Sequence, residues 1–296
     1  MQNPMTATSP NPLSVTLGRV DAHQHFWNYS EQEFEWIDDT MQEIRRDFLP
    51  ADLAPQLRAS GVEATIAVQA RQSLAETDWL LELAASTPWI AGVVGWLPLA
   101  SPTFHALLDR YIGQPKLRGV RHVLQAEPDA FFEDEAFHRG MRLLQSTGPA
   151  TGLVYDLLIV ERQMKQALRF VDRHPDQVIV LDHMAKPRIA AGELQPWATH
   201  LRALGLRKHV SCKLSGLVTE ADADRWTVEE LRPFVEVALE AFGPSRLLFG
   251  SDWPVCTVAA SYARWCEAVE DLLRNCTGAE REAILGGNAQ RVYRLV

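Results

Sequence analysis

Eight short apolar runs separated by amphipathic stretches predict an α/β protein, a single closed (β/α)8 or TIM barrel with its active site at the C-terminal ends of the strands. Three observations carry this expectation. The runs are rich in Val, Ile and Leu and continuous rather than alternating, as in parallel strands buried on both faces. Helical patterns fill nearly every gap between runs, and parallel strands need such crossovers. The 296 residues, 47% hydrophobic and 23% charged, supply one large core and exclude a disordered or fibrous chain. A doubly wound open sheet is the alternative, but no Gly-x-Gly-x-x-Gly turn follows any run.

Residues 1–18, with Pro4, Pro10 and Pro12, lack the basic-then-apolar pattern of a secretory signal and read as a flexible leader; 19–296 form the barrel domain. The first run is 19–26. The longest connection follows, 28–50, carrying Tyr29, Phe34, Trp36 and Phe48, and its length is that of a functional lid. The second run, 64–70, precedes a capping box at Ser73-Leu-Ala-Glu76, with Leu74, Leu80, Leu81, Leu83 and Ala84 at helical spacing. After the third run, 91–98, Pro102 behind Ser101 marks a helix start. Runs four to seven are 118–125, 151–158, 178–183 and 209–215. A second box, Thr227-Val-Glu-Glu230, opens a helix through Leu231, Phe234, Val235, Ala238 and Leu239. The eighth run is 247–252, and Thr277-Gly-Ala-Glu280 begins a short helix near the end.

Charge and cysteine usage narrow the function. With 29 basic and 38 acidic residues the net charge is -9, and no Lys/Arg cluster offers a nucleic acid or an anionic membrane a basic face. The longest apolar stretch, 90–100, contains two glycines and a proline and falls far short of the roughly 18 residues of a membrane span. Cys212, Cys256, Cys266 and Cys276 have no C-x-x-C spacing, so they read as reduced thiols of a cytoplasmic protein. The expected partner is a small molecule, bound by a monomer or a homo-oligomer.

The polar residues at the run ends carry the chemistry. His23 and His25, two apart on the first strand, can converge on the barrel mouth. Alone, His-x-His fits two packed, hydrogen-bonded histidines equally well. Asp182-His183 ends the sixth run and Ser251-Asp252 the eighth, and in a closed barrel these face the same small volume.

With these residues in place, the chain resembles the amidohydrolase superfamily, of the amidohydrolase-2 type. The resemblance lies in His-x-His after the first strand, His183 after the sixth and Asp252 after the eighth. Five motifs resemble its sugar-lactonase branch, the L-fuconolactonases and L-rhamnonolactonases, related to the pyrone-dicarboxylate lactonases. They are Val20-Asp-Ala-His-Gln-His-Phe-Trp27, Gly119-Val-Arg-His122, Leu181-Asp-His-Met-Ala-Lys-Pro187, Cys212-Lys-Leu-Ser-Gly216 and Phe249-Gly-Ser-Asp-Trp-Pro254. The binuclear members carry a carboxylated lysine after the fourth strand and a histidine after the fifth. Here those strands end Arg121-His122 and Tyr155-Asp156, which argues against two ions. One divalent cation, zinc by ligand type, is allowed at His23, His25 and Asp252 without being required for activity.

The resemblance implies a hydrolase that opens a small sugar lactone, with Asp252 as the base that activates water beside His183. Lys213, Arg121 and His122 are the candidate cations at other strand ends, though Lys213 reads equally as a rim lysine and Arg121 as a salt-bridge partner. Tyr155, Trp27, Trp36 and Trp253 complete the candidate substrate-binding set; tryptophans there also serve as rim packing. Two other readings stand beside this one: a metal-dependent decarboxylase of a small acid on the same barrel, and a catalytically silent sugar-binding protein. With Arg121, Arg71 and Lys213 as the only placed cations, neutral lactones are expected over dicarboxylate ones.

Overall fold

The computed structural model describes residues 17–295, apart from the side chains of 147–151. Of the leader expected at 1–18, residues 1–16 lie outside the described residues. Leu17 and Gly18 are tied to the barrel: Leu17 exchanges two hydrogen bonds with the Gln290 amide, and the Gly18 N–H donates to Glu63.

The eight strands are β1 (Arg19–Gln24), β2 (Val62–Val68), β3 (Ile90–Gly95), β4 (Leu117–His122), β5 (Val154–Leu157), β6 (Ile179–Leu181), β7 (Val210–Leu214) and β8 (Leu247–Phe249). They form one parallel sheet in sequential order. A bridge between Gln24 and Trp253 returns the end of the sheet to its start and closes the barrel. The Asp252 N–H donates to the His23 carbonyl (2.7 Å) and the His25 N–H to the Trp253 carbonyl (2.6 Å), extending that seam. Each strand is followed by a helix: α1 (Pro50–Ala59), α2 (Leu74–Ser86), α3 (Phe104–Ile112), α4 (Glu135–Thr151), α5 (Met164–Asp172), α6 (Trp197–Gly205), α7 (Val228–Phe242) and α8 (Tyr262–Leu272), and two short helices, α9 (Gly278–Glu282) and α10 (Asn288–Val292), follow α8.

Apolar side chains from six strands, among them Val20, Ala22, Ile66, Val68, Val94, Val154, Val180 and Leu248, pack together along the barrel axis. Ala289, Val292 and Tyr293 join that cluster from the C-terminal helix. A larger core fills the space between sheet and helices. The β1 register shifts between Asp21 and Gln24. Such a bulge re-aims side chains: Asp21 accepts from the Tyr262 hydroxyl of α8 and the Ser251 N–H, while His23 meets β6 and β7.

The caps follow the sequence with two corrections. The boxes at Thr227/Glu230 and Thr277/Glu280 are complete. At α2 the Ser73 hydroxyl caps Glu76, but the Glu76 carboxylate accepts from the Ala70 and Arg71 N–H groups instead of returning to Ser73. Pro102 does not start α3; it sits in a turn in which the Ser101 hydroxyl accepts from the Thr103 N–H, and the helix begins at Phe104.

The long connection after β1 is a folded lobe. Trp27 and Phe48 pair across its base, Phe34, Ile37 and Ile44 are buried inside it, and the Trp27 indole N–H donates to the Arg46 carbonyl. Trp36 stays 41% exposed on it.

Candidate active site

β6 and β8 end earlier than the apolar runs, and the residues released from the ladder form the site. Beyond β6, His183, Met184, Ala185 and Lys186 all take positive φ, from 49° to 60°. This is a left-handed turn, at about 1–2 kcal/mol per residue of strain. Burial of Met184 and Ala185 and the hydrogen bond from the Trp197 indole to the Met184 carbonyl (2.7 Å) hold it. In so tight a turn, residues three apart lie on one side, so His183 and Lys186 both face the mouth. Gly216, at φ +65°, makes the neighbouring space: a Cβ there would stand 2.6 Å from His183 Nδ1 and 3.2 Å from Asp252 Oδ2.

Asp252 is surrounded by imidazoles on one side. Its Oδ1 lies 3.3 Å from His25 Nε2, 3.7 Å from His23 Nε2 and 3.9 Å from His183 Nε2. Burial opposes ionisation of this carboxyl, but the nearby His183, His25 and His23 imidazoles outweigh it and hold it well below the usual carboxylate range. Oδ2 has no hydrogen-bond partner among the described residues and is the free oxygen. Burial lowers His183 to about 4, and its Nδ1 shares a hydrogen bond with the Ser215 hydroxyl (2.9 Å).

The three groups fit one metal ion. Metal–nitrogen bonds of about 2.0–2.1 Å at tetrahedral angles place ligand atoms roughly 3.3 Å apart. The His23 and His25 Nε2 atoms are 3.2 Å apart, and His25 to Asp252 is 3.3 Å. His25 Nδ1 donates to the Val68 carbonyl at 2.7 Å, which leaves its Nε2 lone pair facing the site.

Beneath these groups lies a buried ion network. Lys213 Nζ, fully buried, contacts Asp156 (2.5 Å), Asp182 (3.0 Å) and His23 Nδ1 (3.1 Å). Arg121 donates to Asp182 (3.1 Å) and to the Gln69 carbonyl. Burial raises Asp156 to about 6, opposed by Lys213, whereas at Asp182 burial is outweighed by Lys213, His23 and Arg121.

Above Asp252 opens a cavity of about 550 Å3, lined from the lobe by Glu33, Glu35 and Trp36, and from the strand ends by Arg71, Gln72, Arg121, Gln125, His183, Lys186, Glu220 and Asp252. Residues 20–295 match the family described as Amidohydrolase. The chain belongs to the amidohydrolase family. This amidohydrolase is 44% identical over 289 residues to an L-fucono-1,5-lactonase of Burkholderia multivorans, covering 94% of this chain and 96% of that protein. It is 37% identical over 284 residues to an L-fucono-1,5-lactonase of Burkholderia ambifaria, with the same coverage. A solved amidohydrolase from Burkholderia multivorans with bound zinc, 44% identical, aligns at TM-score 0.90 over 94% of this chain and 99% of that one.

The amidohydrolase brings His23, His25, His183 and Asp252 to one mouth, with Arg121 and Trp36 on the cavity wall. Five residues expected to contact substrate do not line this cavity. Lys213 is sealed beneath His23, because Asp156 and Asp182 draw its ammonium inward. His122 is turned aside to Glu127 (2.9 Å) and stacked on Phe131. Tyr155 is buried in the aromatic layer with Phe137 and Phe170. Trp27 and Trp253 pack against Phe48 at the base of the lobe. Lys186 and Glu220 line the cavity without having been expected there. Lys186 lies in a quoted motif, but nothing in Met-Ala-Lys announces a left-handed turn, and Glu220 lies five residues past the seventh run.

Proposed function

We propose that this amidohydrolase opens a small, neutral sugar lactone of the L-fucono-1,5-lactone kind to its sugar acid. The observation that carries the reading is the charge pattern around Asp252. Every cation on the cavity wall already faces a carboxylate: Arg71 with Glu33 (2.5 Å), Arg121 with Asp182 (3.1 Å), Lys186 with Glu220 (3.9 Å). A multiply charged anion finds no unpaired cation among the described residues, whereas a polyhydroxylated neutral ring finds donors and acceptors on all sides. The L-fucono-1,5-lactonases similar to this chain support the same substrate class.

The lactone carbonyl is attacked by water. Asp252 Oδ2 takes one proton from that water as its oxygen bonds to the carbonyl carbon. The carbonyl oxygen gains negative charge, which the Arg121 guanidinium, fixed by Asp182 and Gln69, is placed to stabilise. Collapse breaks the ring C–O bond, and the proton on Asp252 passes to the departing alkoxide. His183, neutral at its lowered pKa, orients the carboxylate. His23, His25 and Asp252 would hold one divalent ion, zinc by ligand type, and such an ion supplies Lewis-acid polarisation of the carbonyl. Lys213 and Arg121 together already balance Asp156 and Asp182, so a second ion has no charge to balance there.

The test is a pH-indicator assay over a panel of aldonolactones alongside a pyrone dicarboxylate. Turnover of a 1,5-aldonolactone, with acid released and no CO2, is expected. Faster turnover of the dicarboxylate than of any aldonolactone would overturn the reading.

A further inference from the structure

We propose that Lys186 and Glu220 are the hydroxyl-recognising pair of the cavity and determine its specificity for a ring-hydroxylated ligand; the substrate class rests on the lactonase reading above. Three observations converge on this pair. Both line the cavity that contains Asp252 and His183. Both are set there by strand-end turns: Lys186 by the left-handed turn it shares with His183, Glu220 by a single 3-10 turn, Val218–Glu220, after β7. And their ion pair is open, with 3.9 Å between Nζ and Oε1 and side chains 26% and 27% exposed.

Looseness separates this pair from its neighbours. Arg71 is committed to Glu33 and Glu76, and Arg121 to Asp182 and Gln69. Among the described residues, no hydrogen bond reaches the Lys186 ammonium or the Glu220 carboxylate. Between them, three N–H donors face two carboxylate oxygens across a gap slightly wider than a hydrogen bond. A hydroxyl both donates and accepts, so it satisfies the two at once, donating to Glu220 and accepting from Lys186. A vicinal diol does so twice. An isolated anion would meet Glu220 repulsively, and an isolated cation Lys186. The pair therefore selects hydroxyls, and its position beside His183 sets the distance between the ring substituents and the attacked carbonyl.

Hydrogen bonds to charged groups contribute enough to give roughly 10- to 100-fold discrimination. Binding is read first, by titration calorimetry with L-fucose, whose pyranose ring carries the hydroxyls and cannot be hydrolysed. Glu220→Gln and Lys186→Met each weaken that binding at least tenfold; unchanged binding in both variants, or none by the wild type, overturns the proposal. Turnover is read second, as the ratio of kcat/KM for L-fucono-1,5-lactone to kcat/KM for unsubstituted δ-valerolactone. That ratio falls at least tenfold in either variant, mainly through KM. A ratio within twofold of wild type overturns the proposal, as does an equal loss on both lactones. Should the wild type open neither lactone, the lactonase reading fails alone and the calorimetry still decides the pair. Two variants from different turns guard against one that fails to fold.

Discussion

Gly216 leaves no room for a side chain at the point where His183 and Asp252 meet, and its φ of +65° is one that only glycine adopts freely. Gly216→Ala is therefore expected to lower kcat at least tenfold and to lower Tm, with His183 pushed off the carboxylate; wild-type kinetics in this variant would show that the close approach is immaterial. Asp252→Asn keeps the shape but removes the proton acceptor, so kcat falls at least about 100-fold. Retention of more than about a tenth of the rate would pass the base role to His183. Lys213→Met leaves buried Asp156 without a cation and Asp182 with Arg121 alone. Breaking a buried pair in this way costs about 3–5 kcal/mol, readable as a lowered urea midpoint. These residues were unequally legible. His23, His25, His183 and Asp252 stand at strand ends, where barrel topology alone dictates direction. Lys213 also stands on a strand, but its depth depends on Asp156 and Asp182, two carboxylates on other strands that no spacing rule ties to it.

Helix α4 and the turn just after α5 are joined by a buried imidazole pair, His138 and His174. His138 Nε2 donates to the Phe132 carbonyl, so its Nδ1 accepts from His174 Nε2 at 2.8 Å, and both rings stay neutral. Burial lowers His174 from 6.5 to about 4, and the nearby His138, Arg173 and Arg142 add to this. The folded chain thus binds fewer protons than the unfolded one between those values, and stability falls as pH drops through that window. His174→Gln keeps a donor for His138 without titrating, so its urea midpoint should fall less than that of wild type between pH 7 and 5; parallel slopes would refute this. The helices and strands themselves were readable because periodicity and caps are local. The start of α3 was not, since Ser101 and Thr103 form their own turn ahead of it, and the lobe after β1 was read only as a long aromatic connection.

At the scale of the whole molecule, at most one divalent ion per chain is expected on metal analysis, because His122 on β4 is turned to Glu127 and Asp156 on β5 is held by Lys213. An ion that binds only the folded state stabilises it by mass action. Chelation should lower Tm, and two tightly held equivalents would contradict the single site. The barrel is also closed by contacts between its two ends: Ser251 N–H to Asp21, Tyr262 hydroxyl to Asp21, Asp252 N–H to the His23 carbonyl. These partners are 230 and 241 residues apart for the two Asp21 bonds. At about 5–20 residues per second of synthesis, His23 and His25 precede Asp252 by roughly 10–50 seconds. Throughout that interval the growing chain carries His23 and His25 without Asp252, so their three-residue cluster can assemble only after the eighth strand is made, and its completion is a clock for the moment the barrel shuts.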